Sequence, residues 1–325
     1  MPNGSLAGRA GRGARGPGIR LSIRELVRAG LPNALRGFCM GTADVVPGVS
    51  GGTIALILGI YERLVHAIRS AAGVAVSLLR RDPAPVAAYR PQIEWMMNNP
   101  LVVGQGLAIV TLARLLEYLL EEHPEALSAF FFGLVAGSIL IVWRFIRRPN
   151  PSVHLPLAAA VAVGAFFLLG LRSSAIDDPS TGQIFFAAMI AICAMILPGI
   201  SGSFILLMLG MYDAVIAAVN DRDIGFLAVF AAGAALGLGA FAWLLDWLLK
   251  RFHDLMMAAL AGLMLGSLRV LWPWPEGTDS GEIEAPPAGE WAVPLAVGVA
   301  GLVVVLALWW VSRSPRFNGS APASD

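Results

Sequence analysis

The stretch "VVPGVSGGTIALILGIYERLV" (residues 45–65) decides how this chain folds. It sits in an apolar segment, yet it carries a proline, four glycines, a serine and a threonine. Proline removes a backbone donor, and glycine admits conformations barred to other residues, so the segment is marked for a break. Irregular backbone at membrane depth persists only inside protein or beside a water-filled cavity. The break recurs at residues 196–216, "ILPGISGSFILLMLGMYDAVI".

The surrounding composition shows why membrane depth is the right frame. Hydrophobic residues make up 57% of the 325-residue chain and charged residues 14%; mean hydropathy is +0.72. A soluble domain would be roughly a quarter charged, and several apolar runs approach the ~20 residues that cross a bilayer core. The sequence is that of an all-α polytopic membrane protein. A net charge of +1 gives no electrostatic case for nucleic acid as a partner; bilayer lipids are the expected surroundings. Cys39 and Cys193 are too few for a disulfide framework or a zinc site and read as small buried hydrophobes.

Six full-length spans are expected at 100–120, 126–146, 153–171, 225–249, 255–272 and 291–312. Arginine and lysine in short loops stay on the cytoplasmic side. The Arg-rich stretch 1–30 reads as a flexible cytoplasmic tail, and 313–325 as a second one. The segment after the first break carries Arg63, Arg69, Arg80, Arg81 and Arg90, also inside. Residues 31–60 therefore enter and leave by one face, as a re-entrant hairpin. Residues 184–219 lie between "RSSAIDDPSTG" and the acidic "NDRD" and re-enter from outside. With that topology 18 of the 23 basic residues fall on inside segments, so one arrangement satisfies every loop. Both termini are cytoplasmic, and the expected location is the bacterial cytoplasmic membrane.

Pro47–Tyr61 aligns without a gap on Pro198–Tyr212, with nine of fifteen positions identical. An acid follows each tyrosine, Glu62 and Asp213. "GLVAGSI" at 133–139 echoes "GLMLGSL" at 262–268; the offsets, 151 and 129, place 22 extra residues in the first half, around 70–95. Each half, 31–172 and 184–312, is one hairpin plus three spans. Three being odd, the second half inserts upside down: an inverted-topology repeat of the kind secondary transporters use.

The breaks have a chemical use. The loop "PGVSGGT" opens a new helix near Gly52, whose first N–H groups lack intrahelical partners and carry partial positive charge. Such an end suits an anion. Ser50, Gly51, Gly52, Thr53, Ser201, Gly202 and Ser203 are the candidate phosphate ligands, with helix capping by the hydroxyls as the alternative. Asp44 lies at depth three residues before Pro47, where a carboxylate is costly and functional, and is the candidate for proton or ion coupling; its repeat counterpart is Met195. Arg36 either pairs with Asp44, meets the phosphate, or snorkels to the interface. Arg114 is a further anion ligand if it lines the cavity, although Arg114 and Glu117 at i,i+3 favour a structural ion pair. Glu62, Asp213 and Glu117 complete the coupling candidates, with interface exposure the other reading for the first two. Histidines 66, 123, 154 and 253 have no metal-ligand spacing, and no nucleophile motif is present; neither a catalytic residue, a metal nor a cofactor is expected. "GAALGLGA" at 233–240 offers small residues for close helix approach, in a homodimer or within one chain.

The strings "GTADVVPGVSGGTIALILGIYERLV", "FFFGLVAGSI" and "ILPGISGSFILLMLGMYD" resemble the polyprenyl-phosphate transporter family, over nearly the whole chain beyond residue 30. The resemblance implies a non-enzymatic carrier. It would return undecaprenyl phosphate from the outer to the cytoplasmic leaflet. It implies roles for Asp44, Ser50, Gly51, Gly52, Thr53 and Glu62 in the first motif, and for Ser201, Gly202, Ser203 and Asp213 in the second. Two alternatives stand beside it. The undecaprenyl-pyrophosphate phosphatase family also has broken hairpins, but its loop arginine and paired acids are missing here, and with them the charge clamp. A small-anion transporter or channel would use the same helix ends.

Overall fold

The computed structural model describes residues 23–46, 49–81, 86, 89–171, 173–176, 178–275, 277, 283–287 and 289–313. Twelve α-helices stand among them, with no strand. They are α1 (Ile23–Asp44), α2 (Gly51–Ile57), α3 (Tyr61–Leu79), α4 (Trp95–Glu122), α5 (Pro124–Trp143) and α6 (Pro151–Leu168). Then follow α7 (Thr181–Ile196), α8 (Gly202–Met208), α9 (Tyr212–Asn220), α10 (Ile224–Arg251), α11 (His253–Ser267) and α12 (Ala292–Ser312). The helices start where local chemistry supplies a cap. Ser180 and Gln183 form a capping box for α7, Asp223 Oδ1 accepts the Phe226 N–H for α10, and prolines open α5 and α6.

Four helices, α5, α6, α10 and α12, are long and apolar enough to cross a membrane, and six spans result if each of two bent pairs is one. The faces of α4, α6 and α12 expose Val103, Val110, Phe167, Val299 and Trp310, as a lipid-facing surface does. The chain is a multi-pass membrane protein.

Helix pairing follows small residues. α1 packs on α4, and α7 packs on α10. A Cβ at Gly37 would collide with the Leu101 carbonyl, and one at Gly233 with the Phe185 carbonyl. α5 packs on α12, and α11 packs on α6. Here Gly133 lies against the Gly298 carbonyl and Gly262 against that of Ala158. The two echoing motifs of the sequence thus do the same job: each lets its helix pack backbone to backbone against a helix from the other half. The "GAALGLGA" glycines likewise serve packing within the chain, since Gly237 abuts Met189 of α7.

The broken segments are short helices. α2 has seven residues, all buried, at the centre of the main apolar core. α8 also has seven and turns into α9 through 112°. The 22 surplus residues of the first half fall into place: α3 is 19 residues long where α9 is 9, and residues 80–94 precede α4 where only 221–223 precede α10. Helix α1 begins at Ile23, so residues 23–30, read as tail, are helical.

Candidate functional site

The ends of the two broken segments meet. Thr53 Oγ1 accepts the buried Gly199 N–H at 2.9 Å. Ser50 Oγ donates to the Met195 carbonyl at 3.0 Å, and the buried Tyr61 hydroxyl donates to the Ile196 carbonyl at 3.2 Å. Gly52 lies so close to the Ile196 carbonyl that no side chain fits there. Each bond satisfies a backbone group that the break set free.

The two loops are not chemically equivalent. At α2, Gly51 N–H donates to Asp44 Oδ1 at 2.6 Å, Gly52 N–H to Ser50 Oγ at 3.0 Å, and Thr53 N–H to the Ser50 carbonyl at 2.9 Å. The anion at this helix start is the chain's own carboxylate. The second oxygen of Asp44 accepts from Gln105 Nε2 at 2.7 Å. At α8 no side chain caps the helix; the hydroxyls of Ser201 and Ser203 bond each other at 2.7 Å. Among the described residues the N–H groups of Gly202, Ser203 and Phe204 have no partner.

Two cavities flank this junction. The first, about 380 Å³, is walled largely by apolar side chains of α1, α3, α4 and α7, with Asp44, Asn98 and Gln105 as its polar members. The second, about 260 Å³, is lined by Ser50, Ser201, Gly202 and Ser203 together with α7 and α10. Asp44, Ile192 and Met195 line both. Among the described residues Asp44 is the one ionisable group lining either of them.

Other candidates lie elsewhere. Arg36 is buried and donates to Asn33 Oδ1 at 2.8 Å; it stands two turns, roughly 12 Å along the helix, from Asp44. Asp44 is already held by Gly51 and Gln105, so the pairing weighed for Arg36 is not made. Arg114 and Glu117 are exposed on α4 and form no ion pair with each other among the described residues. They line neither cavity. Asp213 is exposed at the start of α9. Glu62 starts α3 and meets His253 of α11, Oε1 to Nε2 at 2.9 Å, beside a third cavity of about 340 Å³.

Sequence reading passed over several partners. Gln105 stands between two glycines in the apolar "VVGQGLAIV", a lone polar side chain that depth alone would have flagged. Asp246, inside "WLLDWLLK", carried the same signal as Asp44. It is buried and ion-paired with Arg69 and Lys250, with His66 beside it at 3.1 Å. Nothing in the sequence announced the Tyr61 bond across the junction. No group of three metal-binding side chains occurs among the described residues.

Residues 40–285 match the undecaprenyl phosphate translocase-like family. The chain belongs to that family. A Vibrio cholerae protein named polyprenyl-phosphate transporter is 42% identical over 247 residues, 76% of this chain and 79% of its own. A Staphylococcus aureus protein of the same name is 30% identical over 293 residues, 85% of this chain and 95% of its own. These relatives of the translocase-like chain are named as transporters, not enzymes. No solved structure matches it.

Proposed function

We propose that the chain carries a polyprenyl phosphate, the undecaprenyl form first, from the outer to the inner leaflet of the bacterial cytoplasmic membrane by alternating access between two inverted halves. The name shared by its relatives supports the cargo. The reciprocal pairing of α5 with α12 and α11 with α6 is the packing expected of two interlocked copies of one unit. In this reading α1–α2 and α7–α8 are re-entrant hairpins from opposite faces.

One observation carries the mechanism: a single carboxylate, Asp44, stands between two chambers. The second chamber, with the hydroxyls of Ser201 and Ser203 and the unpartnered amides of α8, receives the phosphate. Ser50 and Thr53 tie the hairpin tips together, so that they move as one gate. Asp44 is the fixed negative charge on the route of an anion. At about 4 Å, two unit charges in a partly desolvated site repel by about 4 kcal/mol, roughly a thousandfold in occupancy. Protonation removes that term and weakens the hydrogen bonds from Gly51 and Gln105 at the same moment. The phosphate then passes with a proton, and the tail remains in lipid.

The test is reconstitution in liposomes with asymmetrically placed polyprenyl phosphate, its leaflet read by a membrane-impermeant phosphatase. Transport that accelerates when the donor side is acidified, and an Asp44→Asn variant whose rate no longer responds to pH, are expected. Equal uptake of inorganic phosphate and lipid would instead establish the small-anion carrier or channel. Release of phosphate from a polyprenyl pyrophosphate would establish the hydrolase.

A further inference from the structure

We propose that Asp246 is a positioning residue of the transport cycle: through its ion pairs it latches α3 as the movable wall of the first chamber. The inference rests on the alternating-access reading but not on the identity of the cargo.

Helix α3 has two faces with different work. Leu64, Ala67, Ile68 and Ala71, at i, i+3, i+4 and i+7, line the first chamber. His66 and Arg69 lie on the opposite side of the same helix and meet α10. Arg69 Nη1 is ion-paired with Asp246 Oδ2, and His66 Nδ1 lies 3.1 Å from Oδ1. Lys250, one turn on from Asp246, adds its ammonium at 2.8 Å. The carboxylate is buried, whereas Arg69 and His66 are each 30% exposed and Lys250 is 57% exposed. A buried carboxylate without its cations is heavily penalised, so α3 and α10 stay together while the pairs hold. Glu62 and His253 make a second, more exposed contact between the start of α3 and α11.

The latch has no counterpart across the repeat. The equivalent helix α9 has no basic side chain; Ala217 and Asn220 stand where α3 has His66 and Arg69. The wall of the first chamber is therefore held by an ionic contact between the halves, and α9 makes no such contact among the described residues. Such an asymmetry gives the cycle a preferred resting state, set by how firmly the ion pairs hold.

The experiment introduces a reporter cysteine, Ala67→Cys, at a buried position of the chamber wall, in a Cys39→Ser, Cys193→Ala background. Its rate of labelling by a membrane-impermeant maleimide is measured in inside-out vesicles. Asp246→Asn is expected to raise that rate about tenfold, as a shift of population toward the open wall. The exchange Arg69→Asp with Asp246→Arg is expected to bring it back toward the starting value. Arg69→Gln, which leaves Asp246 its other two partners, serves if Asp246→Asn does not yield folded protein, and should raise the rate by less. Labelling unchanged in both single variants, or as fast in the exchange as in Asp246→Asn, overturns the proposal. The measurement needs no lipid substrate: a protein that labels as expected but moves no polyprenyl phosphate loses the cargo reading and keeps the latch.

Discussion

One hydroxyl holds the two broken segments together. Thr53 Oγ1 is the acceptor for the buried Gly199 N–H, and Gly199 sits at φ +86° with the Ser267 hydroxyl and α11 crowding it, so that amide has no second place to turn. Thr53→Val keeps the shape and removes the acceptor, leaving a buried donor unsatisfied at about 1–3 kcal/mol. Thr53→Ser should restore stability; a thermal melt in detergent compares the three. A second residue tests electrostatics away from the membrane core. Asp254 accepts the N–H groups of Arg147 and Arg148 at 2.9 and 3.0 Å. Its carboxyl is held down to about 2, chiefly by the Arg147 amide and then by His253. A group whose folded value is depressed adds stability above its unfolded value and loses it as pH falls through the folded one. The contribution should therefore be intact above about pH 4 and vanish toward pH 2. Asp254→Asn should flatten the acid limb of the melting curve over that window. Of these residues, only Thr53 was legible beforehand as a member of the loop. Its partner lies 146 positions away, and no local pattern encodes such a distance.

At the scale of the element, the repeated G-x-Y pattern has a structural cause. Gly59 and Gly210 both stand at φ +70°. Gly59 N–H donates to the Leu56 carbonyl and Ile60 N–H to that of Ala55; Gly210 and Met211 do the same with Leu207 and Leu206. This is the Schellman arrangement, which ends a helix with a left-handed glycine and meets its orphan carbonyls. It stops α2 and α8 after seven residues and redirects the chain. An alanine in that conformation costs about 1–2 kcal/mol. Nothing crowds Gly59, whereas a Cβ on Gly210 would strike the Ser174 carbonyl. Gly210→Ala should therefore destabilise more than Gly59→Ala, and equal melting temperatures would contradict the assignment. The prolines and glycines made both breaks visible in the sequence. The unlike chemistry of the two helix starts was visible in part, since the repeat matches Asp44 with Met195; that Asp44 turns to the Gly51 N–H and that Gln105 arrives from α4 was not.

For the whole molecule, the paired helices α5–α12 and α6–α11 lock the halves into one body, and the inverted reading of that body makes a topological prediction. A cysteine replacing Arg80 should react with an impermeant reagent only from the cytoplasmic side, and one replacing Asp221 only from outside. Both reacting from the same side would rule out inverted halves. What the chain settled alone is the membrane as its solvent, the number and place of the breaks, and their duplication. These are properties of composition and periodicity, because hydropathy, glycine and proline act locally. Tertiary structure alone decided that Asp44 faces the α2 start, that Ser50 and Thr53 bind the opposite loop, and that Asp246 ties α3 to α10. Each joins residues distant along the chain, and a buried polar group takes whichever partner the packing of helices brings within reach.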